Sequence, residues 1–125
     1  MYEIALDEAW ELFGAYLDGA RSALVCVLSR SVLDERSRAA LCSAANSLGY
    51  GPAACTFART EELDEAALFQ MIEGLDPLCL IAADSQAAQA LGRTYRCDIP
   101  LKKPSRAFGR SVVAFSSFAS MLNDG

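Results

Sequence analysis

The chain has 125 residues, 53% of them hydrophobic and 22% charged, with 11 basic and 16 acidic side chains and a formal net charge of -5. That length and composition fit one globular domain that buries roughly two-thirds of the surface its unfolded form exposes, and the net charge argues against a protein that coats nucleic acid. The uncharged apolar runs Ala23 to Leu28 and Leu78 to Ala83 fall far short of the ~18 to 20 residues that span a bilayer, and the acidic N-terminus (Glu3, Asp7, Glu8, Glu11) is unlike a secretory signal, so no membrane association and a cytoplasmic location are expected.

From Ile4 to Leu17 the chain sets Leu6, Trp10, Phe13 and Leu17 at spacings of 4, 3 and 4, the stripe of an amphipathic helix, with Gly19 as its stop. Ala23 to Leu28 (ALVCVL) is apolar on both alternating faces and reads as a central strand covered by helices on both sides. Ser29-Arg30-Ser31 then turns into a helix, with Ser31 and Asp34 spaced as a capping box, Leu33, Leu41, Ala44 and Leu48 as its buried side, and Gly49 and Tyr50-Gly51-Pro52 closing it.

Ala53 to Ala58 is the second predicted strand, and Thr60 or Asp64 caps the helix that buries Leu63, Ala67, Leu68, Met71, Ile72 and Leu75, with Gly74 ending it. The third strand, Leu78 to Ala83, starts from the extended Asp76-Pro77 pair and ends at Asp84-Ser85, which offers N-cap oxygens to a helix whose contact face is Ala87, Ala88, Leu91 and Tyr95. Cys97 to Arg106, with Pro100 and Pro104, reads as a loop. Ala107 to Phe115 reads as the fourth strand, and Ser116 or Ser117 as the cap of a short helix through Phe118, Met121 and Leu122.

Alternating helices and strands call for an α/β fold: a single three-layer domain over residues 1–125, with a four-stranded parallel sheet in the order 2-1-3-4 and helices on both faces. In that order the sheet's switch point lies between the C-terminal ends of the first and third strands, so a ligand crevice there would be lined by Ser29, Arg30, Ser31, Asp84 and Ser85. The Ser29-Arg30-Ser31 turn carries two hydroxyls and a guanidinium suited to a phosphate or carboxylate. Asp84 stands where α/β enzymes place a catalytic acid, and is equally the residue an N-cap requires.

The five cysteines, at 26, 42, 55, 79 and 97, form no CxxC pair, and Cys26, Cys55 and Cys79 fall inside apolar strands as small buried hydrophobes. With no histidine, no GxSxG, no GxxxxGK[ST] and no GxGxxG, no catalytic residues are assigned and neither a cofactor nor a metal is expected. The most distinctive surface feature is charge separation. Seven acids and no base lie between Glu61 and Asp84, whereas Arg93, Arg96, Lys102, Lys103, Arg106 and Arg110 stand against Asp98 alone. Such a basic segment either meets an anionic macromolecule or protein partner, or faces the chain's own acids.

The 2-1-3-4 order resembles the core of the uracil-DNA glycosylase superfamily and is similar to that of the non-catalytic psi subunit of a bacterial replicative polymerase. VVAFSSF stands where the glycosylases' histidine-bearing loop would begin, with serines and no histidine, so the resemblance implies a degenerate member that binds without catalysis. The expected function is therefore a non-enzymatic binding or assembly domain that uses segment 93–110. The alternatives are such a degenerate member, or a phosphate- or nucleotide-directed enzyme or sensor at the switch point.

Overall fold

The computed structural model describes residues 2–20, 24–51, 55–101, 105–107 and 109–120. In chain order they form α1 (Tyr2–Phe13), a 3-10 turn (Gly14–Tyr16), β1 (Leu17–Gly19), β2 (Val25–Ser29), α2 (Glu35–Ser47), β3 (Cys55–Arg59), α3 (Glu65–Leu75), β4 (Cys79–Ala82), α4 (Ser85–Tyr95), β5 (Ser105–Ala107) and β6 (Arg110–Ala114). Expectations that fall on Ala23, Pro52 to Ala54, Lys102 to Pro104, Phe108, Met121 and Leu122 lie outside the described residues.

All five residues of β2 are buried, as an apolar run without polar alternation requires. Cys26 and Leu28 join a core cluster with Ala9 and Phe13 of α1, Leu68 and Met71 of α3, and Ala87 and Leu91 of α4. Val25 and Val27 join a second cluster with Leu41 and Ala45 of α2 and with Phe118. Successive strand residues thus feed opposite clusters, so α1, α3 and α4 cover one face of the sheet and α2 covers the other.

The strands β3, β2, β4 and β6 are neighbours in that order and run parallel. They correspond to the four predicted strands in the order 2-1-3-4. The purely parallel sheet is corrected, because the full order is β1-β3-β2-β4-β6-β5 and both edge strands run antiparallel, which makes the sheet mixed. Each added edge strand has three residues, too few to show a period of two.

β1 replaces what the spacing assigned to the end of the first helix. The helix stops at Phe13, a 3-10 turn redirects the chain, and Leu17 keeps its burial as a strand residue opposite Ala58. Gly19 follows with φ 95°, where a Cβ would stand 2.7 Å from the Cys55 carbonyl oxygen, so only glycine passes this close to β3. At the other edge, Gly109, with φ 82°, splits the predicted 107–115 strand into a hairpin that draws Ser105 and Arg106 out of the expected loop.

The helices α2, α3 and α4, which follow β2, β3 and β4, each start on an aspartate. Asp34, Asp64 and Asp84 accept hydrogen bonds from the backbone N–H groups of Ser37, Ala67 and Ala87. Asp34 is therefore the N-cap itself and not the third residue of a Ser31 box, and the Ser37 hydroxyl returns a 2.6 Å bond to its carboxylate. These bonds hold the Asp34 carboxyl below the usual carboxylate range. The buried side of α2 is Ser37, Leu41 and Ala45. Ala44 faces solvent, and Leu48, which caps the helix, is 77% exposed, because α2 ends at Ser47 before that residue completes the stripe.

Candidate functional site

The C-terminal ends of β2 and β4 lie side by side, in register through Leu28 and Ala82. Just beyond them the backbone N–H of Arg30 donates to Asp84 Oδ2 at 2.9 Å, and the N–H of Ala87 donates to Asp84 Oδ1 at 2.7 Å. The Ser29 hydroxyl, on a buried residue, donates to the Ser31 carbonyl at 2.6 Å, and Ser85 N–H donates to the Ser116 carbonyl at 3.0 Å. The topology thus brings Ser29, Arg30, Asp84 and Ser85 to one edge. Ser31 is exposed beside them, but the free amides of the α2 N-terminus begin beyond Asp34. Asp84 has one backbone N–H on each oxygen, so it closes the junction between the strands, and its charge would repel an anion presented there.

The basic segment separates into an internal and an external part. Arg110 points inward: its Nε donates to the Pro77 carbonyl at 2.9 Å, Nη1 lies 3.0 Å from Glu73 Oε2, and Nη2 lies 2.7 Å from Asp76 Oδ1. Its side chain is 10% exposed, so Arg110 belongs to no open basic patch and instead faces the chain's own acids. Arg106 is exposed and donates to the Gly109 carbonyl at 3.3 Å. Lys102 and Lys103 lie outside the described residues.

Arg93 and Arg96 stay at the surface. They line a groove of about 790 Å³ between α4 and the segment 96–101, together with Ser85, Gln89, Ile99 and Leu101. Gly92 lets the segment after α4 pass close to the helix, since a Cβ there would lie 2.8 Å from the Cys97 carbonyl oxygen. Arg93 also stands 3.7 Å from Glu65, with both side chains more than 60% exposed, a pair that contributes at most about 1 kcal/mol and is easily exchanged for another anion. Ser85, assigned to the switch point, and Arg93 and Arg96, assigned to the basic segment, thus share one concave surface.

Among the cysteines, Cys26 is fully buried and burial pushes its thiol up to about 12, as it also does for Cys55; Cys79 is raised for the same reason. Cys97 is exposed. With Ellman's reagent on the native chain, Cys97 is expected to react first and Cys26 only on unfolding; a Cys97→Ser variant that keeps the fast phase would contradict this. Among the described residues no group of three or more Cys, Asp or Glu is placed to hold a metal ion, and no helix is long and apolar enough to cross a membrane.

A second cavity, of about 260 Å³, lies at the C-terminal ends of β2 and β3 on the α2 side, and of the residues assigned to the switch-point crevice it takes in Ser29 alone. Its charged members, Asp18, Arg38 and Arg59, come from three separate elements and share no spacing in the chain. The one available signal was the position of Arg59 directly after an apolar strand. Comparison with family models, with curated proteins and with solved structures finds no match to the chain, so the geometry alone carries the functional argument.

Proposed function

We propose that the chain is a non-enzymatic binding or assembly domain that meets an anionic macromolecule through the groove along α4. The observation that carries this reading is the joint placement of the exposed Arg93 and Arg96 on a groove of about 790 Å³ whose remaining wall includes Ile99 and Leu101. Two guanidinium groups, opposed in the groove by Asp98 alone and accompanied by Ile99 and Leu101, suit a phosphate backbone with unstacked bases, since charge holds the former and apolar contact the latter. Local positive charge on an acidic chain also confines an anionic partner to this face.

The test is retention on heparin and on single-stranded nucleic acid across a salt series. Wild-type binding should fall with log salt, and Arg93→Glu/Arg96→Glu should remove about 1.4 or more from the slope, at about 0.7 per lost phosphate contact. Lys102→Glu/Lys103→Glu tests the neighbouring segment in the same way. Binding that is absent, or that ignores salt and both double variants, would refute the reading.

A second reading, a degenerate relative of the uracil-DNA glycosylases, draws support from the parallel order β3-β2-β4-β6 and from the segment 115–117 lying against the Asp84 edge through the Asp84 and Ser117 bridge. Its partner would also be a nucleic acid. Preference for duplex over single strands in the same assay would favour it.

A further inference from the structure

We propose that the cavity beside β1, β3 and α2 is a binding site for a small aromatic monocarboxylate, held by the guanidinium groups of Arg38 and Arg59. This site is separate from the α4 groove and does not depend on the function proposed for it.

The position follows from the sheet. Ser29 and Arg59 are register partners at the last residues of parallel strands β2 and β3, and ligands of open α/β sheets bind beyond the carboxyl ends of such strands. α2 and the short edge strand β1 supply the other walls, through Arg38 and through Leu17 and Asp18. A volume of about 260 Å³ corresponds to roughly nine water molecules at about 30 Å³ each, the scale of a single ring with one polar substituent.

The lining combines apolar surface with two fixed cations. Leu33, Phe57 and Val32 offer the apolar part, and Val32 is 67% exposed at the surface, a cost a ligand's apolar body would reduce. The Arg38 guanidinium lies 4.5 Å from the centroid of the Phe57 ring, and that of Arg59 lies 5.4 Å from the Tyr16 ring. Contact with a ring restrains each guanidinium, so less freedom is lost when an anion arrives. Arg59 Nη2 donates to the Ala15 carbonyl at 2.6 Å, which anchors one corner of its fork.

Charge then selects the ligand. Arg38 and Arg59 oppose the single carboxylate of Asp18, which leaves the cavity with a charge of +1 and matches one negative charge. Asp18 also shows that this guanidinium takes a carboxylate, since its Oδ2 lies 2.7 Å from Arg38 Nη2 at the rim. The hydrogen bond from Arg38 holds the Asp18 carboxyl below the usual carboxylate range, so it stays ionised at neutral pH and competes with any incoming anion. A dianion would meet that repulsion twice.

The probe is benzoate, titrated into the isotope-labelled full chain and followed by backbone amide shifts, with neutral benzamide and inorganic phosphate as comparison ligands. Saturable shifts confined to residues 15–18, 29–38 and 57–59 are expected, with a Kd on the order of 1 mM and binding of benzamide and phosphate at least about tenfold weaker. Asp18→Asn should tighten benzoate several-fold by removing the competing charge, and Arg38→Met and Arg59→Met should each weaken it about tenfold. Arg93→Glu/Arg96→Glu should leave benzoate binding unchanged, which separates failure here from failure at the α4 groove. Absence of saturation with wild-type chain at tens of millimolar, equal binding of benzamide or phosphate, or weaker binding in Asp18→Asn would overturn the proposal; the wild-type comparison holds even where a variant does not fold.

Discussion

Replacing Arg110 by methionine is expected to lower the unfolding free energy by about 2 to 3 kcal/mol, a large share of the 5 to 15 kcal/mol typical of a domain. The guanidinium reaches from β6 to three partners in the single stretch 73–77: Glu73 near the end of α3, Asp76 at its cap, and the carbonyl of Pro77, which leads into β4. Asp76 holds a left-handed conformation, φ 49°, which orients its carboxylate as the helix ends. Tyr95 extends the set from the last residue of α4 by donating to Glu73 Oε2 at 2.7 Å, and its burial beside that carboxylate raises its hydroxyl pKa and keeps it a donor. Methionine retains the buried stem, so the loss reports the hydrogen bonds and not a cavity. Glu73 and Asp76 are 42% and 33% exposed and recover water, whereas the carbonyl of the fully buried Pro77 loses its donor. Urea denaturation measures the loss. A double variant with Glu73→Gln should cost less than the sum of the single changes, because both act on one network. A loss below about 1 kcal/mol would show that the carboxylates and the carbonyl are served by solvent.

Arg110 also shows what the sequence could and could not convey. Written out, it is one more base in a run of six, and its burial depends on β6 lying beside β4, a long-range pairing that places it over the acids preceding β4. The central strands were legible because their apolar runs are long enough to require cover on both faces; the helices between them imply parallel neighbours, while the order 2-1-3-4 rested on placing the first and third strands side by side at the centre. The edge strands were not, since Leu17 to Gly19 and Ser105 to Ala107 hold their places by pairing with β3 and β6 and carry no pattern of their own. The helix start at Asp34 was misplaced by three residues because Ser31 offers the same chemistry, and only the paired bonds between Asp34 and Ser37 distinguish them. The Arg38 and Arg59 cavity is the extreme case: each of its charged residues is ordinary in its own element, and only folding brings them together.

Asp84→Ala is expected to cost about 2 kcal/mol, more than a helix cap alone removes. One oxygen caps α4 through Ala87 N–H, worth about 1 kcal/mol, and the other receives Arg30 N–H across the sheet's switch point, worth about 1 kcal/mol more. Asp64→Ala supplies the comparison, because its carboxylate caps α3 without a bond to a neighbouring strand end among the described residues, and it should cost only about 1 kcal/mol. Asp84→Asn should fall between, since its amide oxygen still caps the helix while its NH2 group cannot accept from Arg30. The sign of the Asp84→Ala change decides more than its size. A residue held for catalysis commonly sits at the expense of stability, so its removal strengthens the fold. Stabilisation by Asp84→Ala in urea denaturation would therefore return Asp84 to the role of a site acid, whereas the expected loss assigns it to holding β2, β4 and α4 together and leaves binding to the flanking surfaces.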